Sequence, residues 1–439
     1  MYTFSSKLKT FSFALMIIGA LCVGYGFLST PSTLEESIEM TSHDSHDTHA
    51  ADTHVVDAHA TDAHAADAHG ADDAHAMHVF HQLQNRPWSA LYVALFFFLL
   101  IALTTLAFYA IQHATQAGWS VVLFRVMEAI AAYLPIGGIL LFVFLMLSGM
   151  HMNHLFVWMD PEVVKGDILL ENKVGYLNVP FFLLRAAIYI AGWSFFQWHS
   201  RKLTRAQDKV DTGAYRKLLK RSAGFLVFFL ITESMMSWDW IMSLDPHWFS
   251  TLFGWYIFSS GIVSAVTMIA LVTMYLKSQG YLDIVNDSHL HDLAKYMFGF
   301  SVFWTYLWFS QFMLIWYANI PEEVTYFITR FEDYRLPFLG MVGLNFFFPV
   351  LVLINSDFKR VNWFVMVTGI IILIGHYLDI YVMIMPATVG EQWFIGIPEI
   401  GSVLLIAGIF IYVVFNALSK APLIVKNNPY IKESEGFRY

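Results

Sequence analysis

Seven ionisable residues stand inside apolar runs of this sequence: Arg125, Glu128, Arg185, Glu233, Asp239, His376 and Asp379. A charge at a bilayer centre costs about 2.5–3.5 kcal/mol on insertion scales, so such residues face a bundle interior or a wet cavity. Glu233 and Asp239 share one run, Lys220–Leu244. If that run is a helix, they stand ~9 Å apart and project from different faces. That geometry suits two stations along a polar route better than a carboxylate pair sharing one proton. His376 and Asp379 are i and i+3 in Gly375-His-Tyr-Leu-Asp379. A carboxylate-held imidazole that titrates near neutrality is a common proton-relay unit, and equally a packing pair. Arg125 and Glu128 have the same spacing and can pair on one face. Arg185, ~12 Å from the nearer end of its run, requires a counter-charge. By depth Asp239 is the natural partner and Asp379 the second. His151 and His154 close another run, where a metal or haem role would need a histidine from a second helix.

The elements that position these groups follow from composition. The chain has 439 residues, 57% hydrophobic and 13% charged, where soluble domains carry roughly a quarter charged. Apolar blocks long enough to cross ~30 Å of hydrocarbon recur along it. After Phe11–Leu28 they cover 88–112, 121–150, 177–199, 221–243, 252–276, 296–318, 335–354, 362–385 and 398–418. The fold class is therefore an all-α integral membrane protein with about ten transmembrane helices. Pro135-Ile-Gly-Gly138 predicts a kink near the centre of the third. The single cysteine, Cys22, excludes an intrachain disulfide, a Cys-ligated iron–sulfur site and a Cys-x-x-Cys-His haem attachment.

Four segments result: a first span at 1–29, an acidic His-rich segment at 30–87, the membrane domain at 88–421 and a tail at 422–439. A signal peptide is the alternative for the first, but Thr30-Pro31 makes a poor cleavage site. Eleven of the 34 acidic residues lie between Thr30 and Pro87, and elsewhere acids and bases nearly balance. Nothing suggests nucleic-acid binding. His54, His59, His64 and His69 recur every five residues, a period of neither helix nor strand. Low apolar content predicts a solvated, largely disordered loop, with loose metal or proton buffering as the functional alternative. Eighteen Lys and Arg fall in connections on one side and five on the other. The positive-inside rule then places both termini in the cytoplasm and the His-rich loop outside. The outer turns, Ser243-Leu-Asp245-Pro-His247-Trp, Asn319-Ile-Pro-Glu-Glu323 and Ile384-Met-Pro386, read as rigid connections where a partner could dock.

Three phrases carry a resemblance: SWDWIMSLDPHWFSTLFGWY (Ser237–Tyr256), WTYLWFSQFMLIWYANIPEE (Trp304–Glu323) and GHYLDIYVMIMP (Gly375–Pro386). They resemble the polysulfide-reductase-type, NrfD-like membrane subunits, and more narrowly the F-type subunits of bacterial alternative complex III. That complex is a quinol–cytochrome c oxidoreductase. The resemblance covers roughly Pro87 to Ala421 and excludes the His-rich insert.

It implies two four-helix bundles plus peripheral helices in a bacterial inner membrane, beside a sister NrfD-like subunit and membrane lipids. It also implies periplasmic iron–sulfur and multihaem cytochrome c subunits, which hold the redox groups, so this chain would carry none. A quinone is possible. Glu233, Asp239, Arg185, His376 and Asp379, with Arg125, Glu128, His151, Asp245 and His247 as further candidates, would line a proton-conducting or quinone-adjacent cavity. A scaffold with merely paired charges, a secondary transporter and a b-type cytochrome are the competing readings.

Overall fold

The apolar blocks become ten helices long and apolar enough to cross a membrane. They are α1 (Ser6–Leu28), α2 (Ala65–Ala114), α3 (Val121–Gly149), α4 (Val179–Lys209), α5 (Ala214–Leu244), α6 (Phe253–Ser278), α7 (Asp287–Ala318), α8 (Arg335–Leu353), α9 (Asn362–Val389) and α10 (Ile397–Ser419). The structure is a computed structural model that describes residues 2–38, 65–209 and 213–438, with the backbone alone for 65–75. No strand occurs among the described residues.

Helix contacts close into two rings. In the first, α2 packs on α3, α3 on α4, α4 on α5, and α5 returns to α2. In the second, α6, α7, α8 and α9 repeat the circuit. These are the two expected four-helix bundles. Helix α2 forms the seam, since it also touches α6, α9 and α10, and its most apolar stretch is 94% buried. The corresponding stretch of α1 is 22% buried, so α1 lies at the periphery against α10. Without a hydrophobic drive between helices in lipid, that contact depends on close backbone approach. The buried positions of α1 include Ser12, Gly19 and Gly26, spaced by sevens. Ser12 meets Gly408 of α10, Gly26 meets Pro398, and Gly19 meets Gly401 so closely that a Cβ on Gly19 would stand 2.3 Å from the Leu405 amide.

The expected kink is a break. Helix α3 stops at Ala131 and restarts at Leu134. Pro135 has no N–H for the carbonyl four residues back, which is that of Ala131. Two boundaries differ from expectation. The segment predicted to remain unstructured to residue 87 is helical from Ala65, because its Ala-rich repeat extends a nucleus already formed by the apolar run. His54, His59 and His64 lie outside the described residues, and only the backbone of His69 is described. Ile384-Met-Pro386 is not a turn, since α9 continues through Pro386 to Val389. Proline is tolerated there because neighbouring side chains, Thr388 on Ile384 and Arg330 on Met383, reach the surrounding carbonyls.

Both described termini lie at one end of the bundles, where Thr3 bonds Tyr281 and Ser434 bonds the Trp119 carbonyl. This is called the terminal end below. At the far end Arg86 of α2 pairs with Glu399 of α10 at 2.8 Å.

Candidate functional site

Three groups of buried charge emerge. The first sits in the α2–α5 bundle towards the far end. Arg185 donates through Nε and Nη2 to the two oxygens of Asp239 at 2.8 and 2.9 Å, and Tyr189 donates to Asp239 at 3.0 Å. The remaining guanidinium nitrogen donates to the Tyr176 carbonyl at 3.0 Å. Tyr176 and Phe181 lie 3.9 and 4.4 Å from the guanidinium carbon. A bidentate fork held between aromatic rings with every oxygen engaged is a closed unit. Asp239 is indeed the partner of Arg185. Thr232, which accepts the Trp193 indole at 2.9 Å, lies seven residues before Asp239 on the same α4-facing stripe.

Glu233 points elsewhere, as six positions demand. Ser237 packs against Gly254 of α6, and Phe229 against Phe258, so Glu233 stands abreast of residues 255–258. It is 2% exposed, and its Oε1 has no hydrogen-bond partner. It makes no ion pair among the described residues.

The second group lies in the α6–α9 bundle. Asp379 accepts from the Trp304 indole at 2.8 Å and from the Tyr256 hydroxyl. His376 Nδ1 lies 3.6 Å from Asp379, an ion-pair distance rather than a hydrogen bond. The expected carboxylate-held imidazole is therefore looser than its i, i+3 spacing suggests, because two other spans hold the carboxylate. Ser260 is the nearer partner of Nδ1, at 2.9 Å, with the Asn345 amide at 3.5 Å. His376 and Asp379 are both fully buried, and His376 Nε2 has no partner. Asn345 reaches them from a π-turn, Gly343–Phe347, a feature that often marks functional sites. Its approach requires Gly375, where a Cβ would stand 2.1 Å from Asn345 Oδ1.

Sequence reading missed much of this group. Tyr256, Ser260, Ser264 and Thr267 follow one another by four, four and three, a single buried stripe on α6. That spacing was visible in the sequence, but short hydroxyl residues do not stand out in an apolar helix. Arg330, one of the five basic residues counted on the less basic side, is 4% exposed and belongs to the connecting helix Pro321–Glu332. It donates to the Tyr326 carbonyl at 2.7 Å and lies over the Tyr326 ring. A small cavity of about 10 Å³ is lined by both Arg330 and Asp379. Arg330, Gln311 and Trp308, which line it, each keep a buried polar atom without a partner.

The third group is at the terminal end. Arg125 pairs with Glu128 at 2.6 Å, as expected, and also with Asp208 of α4, which the sequence reading did not single out. Thr204 and Tyr109 donate to Glu128 at 2.8 and 3.0 Å. Between this group and the second, Thr104 of α2 donates across the seam to the Gly261 carbonyl at 2.9 Å. Tyr109 follows five residues on, ~7.5 Å closer to the terminal end.

The remaining candidates lie at the surface of the far end. His151 is not an i, i+3 partner of His154, because α3 ends at Gly149 and His151 takes a left-handed turn (φ 58°). His154 instead stacks on His81 of α2 at 4.4 Å. Asp245 closes a turn, its carbonyl accepting from the Trp248 amide at 3.2 Å. His247 pairs with Asp167. That bond, with the amides of Leu170 and Leu169, holds the Asp167 carboxyl below its ordinary range. The pair ties the segment 160–173 to the α5–α6 turn, where Lys173 also donates to the Pro246 carbonyl at 2.5 Å. No family model and no curated protein matches this chain.

Proposed function

We propose that this chain is a membrane subunit of a quinol–cytochrome c oxidoreductase of the alternative complex III type, and that it conducts protons without holding a redox group. The reading sets both termini in the cytoplasm of a bacterium and the far end outside its inner membrane. Periplasmic iron–sulfur and cytochrome c subunits would dock on that far end, and a sister NrfD-like subunit alongside. The observation that carries it is the order of buried polar atoms across two bundles. From the far end it runs Asp379, His376, Ser260, Thr104, Tyr109, Glu128, Arg125 and Asp208. Glu233 adjoins this line about one turn from Ser260.

His376 has the chemistry for a relay, since imidazole exchanges protons near neutrality through two distinct nitrogens. One is held by Ser260, and the other is free to take or give a proton. Glu233, with an unpartnered oxygen, supplies a site that can be occupied as acid or as carboxylate. Arg185–Asp239 suits this role poorly, because its charges are mutually neutralised and fully bonded. That clamp supports a scaffold role for its part of the first bundle.

The test is proton translocation per electron by the intact complex in liposomes, wild type against Glu233→Gln and Asp379→Asn, with assembly verified on the same samples. Normal quinol turnover with lost translocation is expected. Loss of both in an assembled complex moves these residues to quinol chemistry. No change in either refutes the proton route and leaves the scaffold.

A further inference from the structure

A cleft of about 1090 Å³ opens at the terminal end between α3, α4 and the chain that follows α10. Arg201, Lys202, Arg205, Lys209, Lys420 and Lys426 line it, with Asp208 as the one carboxylate in the lining. Asp208 is already engaged: one oxygen holds Arg125 and the other accepts the Lys426 amide at 2.8 Å. None of the six cations forms an ion pair among the described residues. Arg201 donates one nitrogen to the Ala417 carbonyl at 2.7 Å, yet its Nε is buried without a partner. The Nε of Arg205 is buried and unpartnered as well. Two guanidinium groups with unpartnered donors in a like-charged cleft favour an anion, and their planar forks match a phosphate.

We propose that this cleft binds the phosphate head group of an acidic phospholipid. The rest of its lining selects a lipid over a free phosphate. Ala132, at the break in α3, and Trp198 line its deeper part, and Trp198 stands ~16 Å along α4 from Lys209. The cleft is thus cationic where the bundle leaves the membrane and apolar towards its interior, in the order of a head group and its acyl chains. Basic pockets between transmembrane helices take anionic head groups in this way. The site shares only Asp208 with the proton route, and its test reads bound lipid rather than protons, so each stands or falls separately.

The test uses the full chain in detergent, challenged with phosphatidylglycerol or phosphatidylcholine vesicles, with retained phospholipid counted by mass spectrometry. Phosphatidylglycerol is expected to be retained about tenfold or more over phosphatidylcholine. Arg201→Gln with Arg205→Gln lowers that retention by about tenfold or more, as loss of two surface-proximal cations predicts. Lys217→Gln with Lys220→Gln removes the same charge from exposed positions of α5 and leaves it unchanged. Arg205→Gln alone, whose side chain makes no hydrogen bond to the described residues, keeps the fold and lowers retention in the same direction. Equal retention of the two lipids, or wild-type retention in the double variant, overturns the proposal. Displacement by millimolar inorganic phosphate makes this a free-anion site and overturns the lipid assignment.

Discussion

Replacing Arg185 by Gln removes the guanidinium from a carboxylate with no solvent exposure, Asp239. The charged pair loses two hydrogen bonds, at 2.8 and 2.9 Å, and Asp239 is left as an uncompensated buried charge or must take up a proton. Breaking one side of a buried pair costs about 3–5 kcal/mol. The lower end applies here, because Tyr189 still donates to Asp239 and the site lies towards the far end rather than mid-membrane. About 3 kcal/mol lowers the folded-to-unfolded ratio by roughly two orders of magnitude. Asp239→Asn leaves Arg185 charged and costs a similar amount. Arg185→Met with Asp239→Leu removes both charges while keeping volume, and replacement of a whole buried pair is often neutral or stabilising. Equilibrium unfolding of the full chain in mixed micelles measures all three. The expected pattern is two strongly destabilised single variants and a double variant near wild type. Singles within about 1 kcal/mol of wild type would mean that the pair behaves as an exposed one and would refute the clamp. A double variant as poor as the singles would place the stabilisation in the hydrogen-bond geometry instead of the charge. Because the clamp is assigned to structure, the double variant should also translocate protons normally.

Gly19→Leu drives a side chain into the α10 backbone and detaches α1. Maleimide labelling of Cys22, the only cysteine, should then accelerate severalfold, and an unchanged rate would refute the close approach. Gly261→Ala brings a Cβ to 2.6 Å from Thr104 Cγ2, so the α2–α6 seam widens at about 1–3 kcal/mol, and unfolding in micelles checks it. Ser260→Ala strips His376 Nδ1 of its nearest partner at about 1–3 kcal/mol, and translocation per electron should fall while α-helix content by circular dichroism stays constant. The Asp167 carboxyl is held below its ordinary range by His247, so its contribution is present above the unfolded carboxylate pKa of ~3.9 and is lost as pH falls through the lower folded value. Hydrogen exchange at Leu169 and Leu170 should therefore gain nothing from Asp167 ionisation between neutrality and ~pH 5 and lose protection only in stronger acid, and Asp167→Asn should remove that acid transition.

The span pattern was legible because lipid leaves so few options: backbone groups must be satisfied within each crossing, and apolar blocks of the right length become helices. The Arg185–Asp239 partnership was legible for a related reason, since a buried arginine must find a carboxylate at its own depth. What could not be read was anything set by lateral packing. Trp304 and Tyr256 reach Asp379 from α7 and α6, 75 and 123 residues away, and neither residue type announces itself in an aromatic-rich chain. The π-turn that delivers Asn345 depends on local backbone insertion within an otherwise helical pattern. Arg330 does lie in the connection between α7 and α8, but its burial was not legible because a Pro-Glu-Glu start reads as a loop edge, while it opens a helix that packs on the second bundle. His151 failed for the opposite reason: the apolar run continues to Met150, but the helix does not.

The two bundles use buried charge differently, and the seam explains how one chain accommodates both. In the first bundle each oxygen of Asp239 has a donor, which fixes α4 to α5 and leaves Asp239 itself unable to change protonation without breaking the clamp, while Glu233 on the same helix stands outside it. In the second, His376 has one nitrogen held and one without a partner, and Asp379 is bonded by the neutral donors Trp304 and Tyr256 rather than by a cation. Helix α2 touches both, and its Thr104 and Tyr109 face partners in different bundles: Gly261 of α6 and Glu128 of α3. A substitution that widens the seam should therefore uncouple the groups without altering either one. Gly261→Ala does so with no ionisable residue changed. If translocation survives in Gly261→Ala while the seam is measurably loosened, the polar line across α2 is not the conducting one, and Glu233 must be served from within its own bundle.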